Sequence, residues 1–511
     1  MRIVTAAEMY DIDAYTVQKI GFSEDMLMEN AGQAIASRVM KEINDHKKIS
    51  ILVGVGNNGG DGFVIGRILK SFDFQVDIWV IPPKEKIKGI AKQAFEVYKR
   101  SGYDVHFYSQ NEQHFNSLLP NYDVIIDCLL GIGVKGTLRS PYKEIIKKVN
   151  ACKVARVISV DIPSGVSADG GEVNEAIQAD LTVTIQAPKM GAYTYPSASF
   201  YGEMIVADIG IPPIAIEHCS QERFVWTEKF VQKHFPTRPP NSHKGVNGKG
   251  MIIGGSQSMP GAVMLSAKSA LRSGAGLLTV AIPDVIHPVA AAHFLEAMYF
   301  PCPTEQGYFN GSLDIDFARF DAIAIGPGMG RTQGGEVIVK NVLQQQVPIV
   351  IDADALYHLK KMLPLLKNRD LVTILTPHPG EMAHLTGLSI QEVEQNRFEL
   401  SKQFAMEYGV YLVLKGPFTI VSTPEGKQYV NPTGNQALAK GGSGDILTGI
   451  ILAFLMQHGK TQTAICNAVY VHGKTAELLV QAKHTHLDVL ATDIIEYIPK
   501  TLKVLQHKES L

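Results

Sequence analysis

Residues 49–62 read ISILVGVGNNGGDG, an apolar run that leads directly into a glycine-rich turn. Val and Ile favour strands, and an uninterrupted apolar run is typical of a parallel strand that is buried on both faces. A helical pattern, residues 63–69, follows the turn. This stretch therefore predicts a strand, a turn and a helix, which is the repeating unit of open parallel sheets.

The same alternation recurs along the chain. Further apolar runs that are followed by helical patterns lie at residues 74–81, 124–128, 155–160, 347–351, 371–375 and 410–414. A stretch rich in proline and glycine, residues 211–250, separates the two sets. We therefore predict two α/β domains, at residues 1–220 and 235–505, of which the first is a Rossmann-like three-layer α/β/α domain.

Length and composition support this organisation and exclude several classes of protein. The 511 residues are 45% apolar and 19% charged, and their formal net charge is −2. A near-neutral balance argues against a general nucleic-acid binder, and the apolar run at 446–456 is too short to span a bilayer. The five cysteines are widely spaced and form no CxxC pair. We predict a cytoplasmic protein that binds neither nucleic acid nor membrane.

The glycine-rich turn predicts a place for a phosphate group. Gly54, Gly56 and Gly59 match the pattern GxGxxG, and small residues at the start of a helix let backbone N–H groups approach an anion. A dinucleotide-dependent dehydrogenase would carry an acid at the end of the second strand, where this chain has residues 80–84, VIPPK. We therefore expect a ligand-binding turn without hydride transfer; a purely structural turn is the alternative.

Two other strands of the first domain end in acids, Asp127 and Asp161. Ligands of open parallel sheets bind beyond the carboxyl ends of the strands, so these acids should lie near the glycine-rich turn. Capping of the following helix is the alternative role for each of them.

Residues 57–62, 127–133 and 161–165 resemble the motifs of the YjeF N-terminal domain, the NAD(P)H-hydrate epimerase, and the resemblance extends over about residues 1–215. It implies that two loops hold the substrate, through Asn57, Asn58, Gly59, Gly60 and Asp61 in the first and Gly131, Ile132, Gly133, Val134, Lys135, Gly136 and Thr137 in the second. It also implies that Asn58, Asp127 and Ser164 bind a potassium ion, a hard cation that suits oxygen ligands.

Within this resemblance, Asp161 is the candidate for acid–base catalysis. Epimerisation at the hydrated carbon of the nicotinamide ring requires proton transfer to and from the groups at that carbon, and a carboxylate at a strand end can perform it. Lys189 is a weaker candidate for its partner, and a solvated loop lysine is the alternative interpretation of that residue.

The second half of the chain has its own glycine-rich segment, AKGGSGD at residues 439–445, directly before an apolar helix. Glycines at a helix start expose N–H donors toward an anion, and Asp445 could take the proton of a hydroxyl group during phosphoryl transfer. A glycine turn with a capping Asp is the alternative. Three more segments that bear polar groups or glycine follow predicted strands: GPGMG at 326–330, TPHPGE at 376–381 and LKG at 414–416.

Together these segments are similar to the ribokinase-like ADP-dependent NAD(P)H-hydrate dehydratase, over about residues 235–500. The similarity implies that the hydrate contacts Ala262, Gly328, His378 and Asp445. It implies that the adenine nucleotide contacts Lys415, Gly416, Pro417, Phe418, Thr419 and Gly444. It further implies ADP as co-substrate, Mg²⁺ on the nucleotide phosphates, and a homo-oligomeric assembly.

The sequence thus predicts an enzyme that repairs hydrated NADH and NADPH by epimerisation and ADP-dependent dehydration. Two alternatives stay open. The second domain could be a small-molecule kinase, which would accumulate a phosphorylated product, whereas repair releases phosphate and NAD(P)H. The first domain could be a binding module, which would bind the hydrate without interconverting its epimers. The choices of ADP against ATP, and of NADH hydrate against NADPH hydrate, are also open at this point.

Overall fold

The computed structural model describes residues 1–43, 46–133, 136–152 and 155–506. The chain forms two compact units, Met1–Gln221 and Glu222–Leu511. Each unit is built around its own sheet, and most neighbouring strands in both sheets are parallel. The predicted pair of α/β domains is confirmed.

The sheet of the first unit is parallel throughout its described strands, in the order β3-β2-β1-β4-β5-β6-β7. Its strands are β1 (Lys48–Val53), β2 (Gln75–Val80), β3 (His106–Phe107), β4 (Val124–Cys128), β5 (Arg156–Val160), β6 (Leu181–Ile185) and β7 (Glu203–Ala207). The order reverses between β1 and β4, which is where open parallel sheets bind their ligands.

Helices cover both faces of this sheet. They are α1 (Ala6–Tyr15), α2 (Glu24–Glu42), α3 (Asn57–Ser71), α4 (Gly89–Arg100), α5 (Glu112–Leu118), α6 (Tyr142–Ala151) and α7 (Pro213–Cys219). Because side chains alternate along a strand, Ile51 packs with α2, α3 and α4, whereas Leu52 packs with α5 and α6. This gives the three layers that the sequence predicts.

The second sheet has the order β11-β10-β9-β14-β15-β16-β17-β18-β19-β8. The strands of this unit are β8 (Arg223–Val225), β9 (Lys249–Ile253), β10 (Leu277–Pro283), β11 (Met298–Cys302), β12 (Thr304–Glu305), β13 (Tyr308–Phe309), β14 (Ala322–Ile325), β15 (Ile349–Ile351), β16 (Thr373–Leu375), β17 (Tyr411–Leu414), β18 (Ile420–Ser422) and β19 (Gln428–Val430). The strands from β11 to β17 are parallel, and β18 is antiparallel to both of its neighbours.

Helices also lie on both faces of the second sheet. They are α8 (Glu228–Lys233), α9 (Pro260–Arg272), α10 (His287–His293), α11 (Gln333–Leu343), α12 (Asp354–Leu359), α13 (Leu363–Leu366), α14 (Pro379–Thr386), α15 (Ile390–Gln395), α16 (Arg397–Tyr408), α17 (Ser443–Gln457), α18 (Thr461–Ala482) and α19 (Ala491–Gln506). α17 lies against α9, where a Cβ on Gly449 would stand 2.0 Å from the carbonyl oxygen of Ser266. This close approach sets the spacing of the two helices, and the hydroxyl of Ser266 also donates a hydrogen bond to the carbonyl oxygen of Asp445 in the first turn of α17.

The proline-rich stretch at 211–250 is more ordered than a linker. Strand β8 within it pairs with β19 at the edge of the second sheet. Trp226 follows this strand, is 6% exposed and donates a hydrogen bond from Nε1 to Asn467. The compact unit that contains this strand spans Glu222–Leu511, and the buried tryptophan anchors its edge strand.

Two general expectations can be compared directly with the described residues. Among them, no helix is both long enough and apolar enough to cross a membrane. Cys128, Cys152, Cys219, Cys302 and Cys466 all carry free thiols.

The first sheet edge depends on a close approach of two strand ends. A Cβ on Gly54, directly after β1, would lie 1.8 Å from the carbonyl oxygen of Leu129, directly after β4. By contrast, a Cβ on Gly56 would have no heavy atom within 4 Å. Gly54 is therefore required by packing, whereas Gly56 is not.

We predict that Gly54→Ala lowers the free energy of unfolding of the first unit by about 3 kcal/mol, because the two strand ends must separate. The matched variant Gly56→Ala should change it by less than about 1 kcal/mol. The chain has two tryptophans, and in a Trp226→Phe background the fluorescence of Trp79 reports the first unit during urea unfolding. Equal stabilities of the two glycine variants would contradict the prediction.

Candidate active sites

A cavity of about 710 Å³ opens at the carboxyl edge of the first sheet. The predicted substrate residues that line it are Asn57, Asn58, Asp61, Gly131, Ile132, Gly133 and Asp161. Gly59 and Gly60 are buried behind this lining, whereas Gly136 and Thr137 are exposed and lie outside it. Val134 and Lys135 lie outside the described residues. The edge therefore brings together both predicted loops at their starts.

The glycine-rich turn presents the first turn of α3 to this cavity. The helix begins at Asn57, so the N–H groups of its first residues have no partner within the helix and favour an anion. A Cβ on Gly59 would lie 2.4 Å from the carbonyl oxygen of Gly54, and one on Gly60 would lie 2.5 Å from Met28. These glycines act through packing: they let the helix start close to the sheet edge.

Asp127 organises the second loop rather than facing the cavity. Its carboxylate is buried and accepts hydrogen bonds from the backbone N–H of Leu129 and Ser164 and from the hydroxyls of Ser159 and Ser164. Burial raises the pKa of Asp127, and these four donors counteract that effect. The network fixes Ser164 next to the loop that bears Leu130, which also accepts a hydrogen bond from Asn58.

Asp161 and Lys189 form a buried ion pair. Asp161 follows β5 with a φ of 67°, and its Oδ1 accepts hydrogen bonds from Lys189 Nζ, from the N–H of Ile185 at 3.0 Å and from Thr184 at 3.3 Å. Among the described residues no donor contacts Oδ2, which leaves that oxygen available to a ligand. An oriented carboxylate with one committed and one open oxygen suits a proton acceptor.

Lys189 is not the solvated lysine that the sequence left as an alternative. Its side chain is fully buried, and Nζ also donates to the carbonyl oxygen of Ile185 at 2.8 Å and to Thr184 Oγ1 at 3.2 Å. An ammonium group has three protons, so Lys189 has used all of them. It positions Asp161 and balances its charge.

Two titratable residues that line this cavity, Tyr10 and Asp13, were missed by the sequence analysis. Both come from α1, and the preceding residue Val4 forms a backbone bridge with Lys189 that places this helix over the cavity. Burial raises the pKa of Asp13 to about 6, with the charge of Lys189 lowering it and that of Asp161 raising it. No glycine motif or strand end marks these residues in the sequence.

The carboxyl edge of the second sheet holds another buried ion pair. Asp352 directly follows β15, is 1% exposed and accepts hydrogen bonds from Lys415 Nζ at 2.9 Å and from Thr448 Oγ1 at 2.6 Å. Burial acts to lower the pKa of Lys415, but the charges of Asp352 and Glu381 raise it above its ordinary value. Lys415 is thus an ammonium ion held at the sheet edge.

Asp445 stands in the first turn of α17, next to that pair. The helix begins at Ser443 after Gly442, whose φ of 92° suits a glycine. A Cβ on Gly444 would lie 3.4 Å from Lys415 Nζ, so this turn and Lys415 face each other. Burial and the charge of Asp352 raise the pKa of Asp445 to about 7. A carboxyl group with such a pKa can exchange a proton near neutral pH.

The predicted hydrate residues gather at this edge as well. Ala262 and Gly328 are adjacent, since a Cβ on Gly328 would lie 3.0 Å from that of Ala262. His378 caps α14: its Nδ1 accepts hydrogen bonds from the N–H of Gly380 and Glu381, which assigns the proton to Nε2. Glu381 then links His378 to Lys415, at 3.6 Å from the lysine Nζ.

A smaller cavity of about 280 Å³ lies beside His378. Arg331 stacks over the ring of Tyr357 at 4.7 Å, and the same ring stacks on His384 at 4.7 Å. These three residues and His378 line the cavity. The sequence analysis missed this aromatic wall, because its residues come from separate segments without a motif.

The predicted nucleotide loop, Lys415–Thr419, is supported from below by Arg397. This guanidinium is 4% exposed and donates hydrogen bonds to the carbonyl oxygens of Leu414, Lys415 and Phe418. It also occupies the space that a side chain at Gly416 would need, 2.6 Å from a Cβ there. Arg397 therefore fixes the loop without facing a ligand itself.

Comparisons with known proteins agree with both edges. A family model described as YjeF-related protein N-terminus matches residues 24–191, and one described as NAD(P)H-hydrate dehydratase matches residues 250–500. The bifunctional NAD(P)H-hydrate repair enzyme of Moorella thermoacetica is 34% identical, over 99% of this chain and 98% of its own length. The chain belongs to the bifunctional NAD(P)H-hydrate repair enzyme family. The bifunctional NAD(P)H-hydrate repair enzyme of Thermofilum pendens is 32% identical, over 99% of this chain and 97% of its own length.

Among solved structures, the ADP/ATP-dependent NAD(P)H-hydrate dehydratase of Bacillus subtilis, co-crystallised with ATP and Mg²⁺, is similar to the second unit of this repair-family chain. It is 36% identical and covers 55% of this chain and 98% of its own, with a TM-score of 0.49. The expected combination of an epimerase-type domain and a ribokinase-like dehydratase domain is confirmed by the family assignment.

Asp352 is the residue of the dehydratase edge that sequence reasoning should have found. Asp127 and Asp161 were singled out because an acid directly follows a predicted strand, and Asp352 directly follows the strand predicted at 347–351. Asp352 thus carries the same sequence signal as Asp127 and Asp161.

We predict that Asp352→Asn destabilises the second unit by about 3 kcal/mol, because Lys415 loses the partner that balances its buried charge. The matched control is Glu336→Gln, which breaks the exposed pair with Lys361 and should cost less than about 1 kcal/mol. Urea unfolding in a Trp79→Phe background, followed by Trp226 fluorescence, measures both. A loss no larger for Asp352→Asn than for Glu336→Gln would contradict the prediction.

Proposed function

We propose that this chain repairs hydrated NADH and NADPH. The first unit interconverts the R and S epimers, and the second dehydrates the S form to NAD(P)H with ADP, releasing AMP and phosphate. The observation that carries this proposal is that the chain, a full-length relative of the repair enzymes, has a candidate site at each of its two sheet edges. The first site has an open carboxylate oxygen at Asp161. The second has a carboxyl group of raised pKa, Asp445, beside Lys415.

The first edge suits proton transfer on a nucleotide-like substrate. We assign the domain 1–220 to the epimerase, with the first turn of α3 receiving the phosphates and the loop at 131–137 receiving the remainder of the substrate. Asp161 Oδ2 then acts on the hydroxyl of the hydrated carbon. Because Lys189 and Ile185 fix Oδ1, the open oxygen keeps its direction while the proton moves.

A potassium ion fits the residues beside this turn. Asn58 Oδ1 is buried and has no hydrogen-bond partner among the residues that the structure describes, although Asn58 Nδ2 donates to Leu130 at 2.9 Å. An amide oxygen without a donor is an open position for a hard cation. We propose that Asn58 and Ser164 hold K⁺ with Asp127 as the third ligand; because the two oxygens of Asp127 already accept four hydrogen bonds, Asp127 would exchange one of these donors for the ion. The cation would supply fixed positive charge next to the anionic substrate.

The second edge suits activation of a hydroxyl group by phosphorylation. We assign the domain 235–505 to the dehydratase. Hydroxide is a poor leaving group, whereas phosphate leaves readily. Asp445 takes the proton of the ring hydroxyl, the oxygen attacks the terminal phosphoryl group of ADP, and AMP departs. The ring nitrogen then pushes out phosphate, and loss of a proton from the neighbouring carbon restores the dihydronicotinamide.

The backbone of the segment 441–444 supports this step. N–H groups at the start of α17 face the developing negative charge, and the helix dipole adds to their effect. We propose that Ala262, Gly328 and His378 contact the hydrate, and that Gly444 and the Lys415–Thr419 loop contact the nucleotide.

Two further components belong to the same proposal. Mg²⁺ is expected on the nucleotide phosphates, because phosphate oxygens are its preferred ligands. We also expect a homo-oligomer, which size-exclusion chromatography with light scattering can measure.

We predict that Asp161→Asn slows epimerisation at least about 100-fold, since an amide cannot accept the proton. Its dehydratase rate on pure S hydrate should equal that of the wild type. The assay supplies pure R hydrate with excess ADP and follows the absorbance of NAD(P)H. Normal recovery from the R form by Asp161→Asn would sink the assignment.

We predict that Asp445→Ala abolishes dehydration and keeps epimerisation, because the general base of the second edge is missing. The pH dependence follows from the pKa of about 7. A base must be deprotonated, so the wild-type kcat/KM for dehydration should fall about tenfold per unit below pH 7 and level off above it. A rate that stays flat between pH 5.5 and 8, as chosen assay limits, is incompatible with this role.

Mixing the two variants is the control for both predictions. Neither Asp161→Asn nor Asp445→Ala alone should convert R hydrate into NAD(P)H, but an equimolar mixture should, because the intermediate S hydrate passes through solution. ADP and ATP are supplied in parallel to determine the preferred nucleotide. Failure of the mixture, with both variants folded, would mean that the two activities are not separable.

A further inference from the structure

Among the described residues, the lining of the epimerase cavity contains more acids than its one lysine, Lys189, can balance. Asp13, Asp61 and Asp161 line one cavity together with Lys189, and burial and the charge of Asp161 raise the pKa of both Asp13 and Asp61. If all three carboxyls were ionised, the group would carry two uncompensated negative charges. Carboxyls that share a site in this way do not all ionise together, so at least one of them keeps a proton.

The three acids differ in their surroundings. Asp161 is paired with the ammonium group of Lys189 through a hydrogen bond to its Oδ1. Asp61 is 6% exposed, and burial followed by the charges of Asp161 and Asp13 raises its pKa well above the ordinary value. Asp13 lies between these extremes: it is half-buried on α1 and lines the open cavity.

The epimerase needs a second proton-transfer group, and Lys189 cannot supply it because its three protons are committed. Resting on the function proposed above, we propose that Asp13 is this group: it donates a proton to the nitrogen of the hydrated ring while Asp161 takes the proton of the hydroxyl. Asp13 lies on α1, an element that is separate from both motif loops. Pairs of carboxyls in contrasting environments are a recurrent basis for such a division of labour.

The step is balanced without water or a redox partner. Asp161 Oδ2 removes the hydroxyl proton, the bond between the ring nitrogen and the hydrated carbon breaks, and its electron pair goes to nitrogen. Asp13 donates its proton to that nitrogen, which leaves an open-chain aldehyde. After rotation about the adjacent carbon–carbon bond, nitrogen attacks the other face, Asp13 takes its proton back, and Asp161 returns a proton to oxygen.

The groups that face Asp13 are consistent with this exchange. Tyr10 on the same helix, Glu24 at the start of α2, Asp61 on α3, Asp161 after β5 and Lys189 after β6 are the titratable residues that line the described part of the cavity around it. With the pKa of Asp13 at about 6, the acid form is present near neutral pH and can also be regenerated. The pKa of Tyr10 is raised by burial and by Asp161 and Asp13, so its phenol stays protonated.

The test is Asp13→Asn in the full-length chain, with Asp11→Asn as the matched control on the exposed face of the same helix. We expect Asp13→Asn to epimerise R hydrate at least about 100-fold more slowly, while its dehydration of pure S hydrate is unchanged. Asp11→Asn should retain both rates. An epimerisation rate of Asp13→Asn within twofold of the wild type overturns the inference; absence of epimerisation in the wild type would instead overturn the function itself.

A pH profile separates proton transfer from a structural role. The acid form of Asp13 is required, so the wild-type epimerase kcat should fall as pH rises through the pKa of Asp13 in the complex. A wild-type kcat that does not fall with rising pH overturns the inference. Because this measurement does not use the variant, it decides the question even where Asp13→Asn proves unstable by Trp79 fluorescence. Epimerisation in ¹⁸O-labelled water tests the ring opening: retention of the original oxygen supports it, and incorporation at every turnover overturns it.

Discussion

A lysine ammonium group that is buried at a sheet edge must have a carboxylate in contact with it, and this requirement shapes both halves of the molecule. Lys189 is paired with Asp161 in the first unit, and Lys415 with Asp352 in the second. In each case the acid directly follows a parallel strand, while the lysine comes from a later segment of the chain. The pair therefore joins distant segments at the carboxyl edge of the sheet. Its charges also shift the pKa values of neighbouring carboxyls.

The two edges use this common arrangement differently. In the first unit, the paired acid Asp161 keeps one oxygen open to the cavity, and the lysine orients it. In the second, Asp352 is committed to Lys415 and Thr448, and the carboxyl that we propose as the base is its neighbour Asp445. Its proton affinity is increased by burial and by the charge of Asp352. In the proposed function, the first reaction depends on the orientation of the Asp161 carboxylate, and the second depends on the raised pKa of Asp445.

The sequence predicts those parts of the fold and sites that depend on local chain chemistry. Apolar runs fixed the positions of β1, β2, β4 and β5 to within about two residues, and glycine-rich turns located Asn57–Asp61 and Gly441–Asp445. It could not predict Arg397, Asp13 or the stack of Arg331 on Tyr357, because their roles arise from tertiary packing between segments without motifs. Asp352 was predictable, because it obeys the strand-end rule that located Asp161. The edge strand β8 was not predicted, because the prolines around it favour a linker.

The backbone bridge between Val4 and Lys189 has a consequence for biosynthesis. The opening helix can settle over its cavity only after nearly the whole first unit has been translated, because its docking partner is encoded so late. Until then, the apolar face formed by Met9 and Ile12 lacks the cover that it has in the mature protein. The nascent chain is consequently most vulnerable to chaperone capture and to self-association during synthesis of the epimerase half, and this period ends only when α7, whose Ala215 belongs to the same apolar cluster, leaves the ribosome.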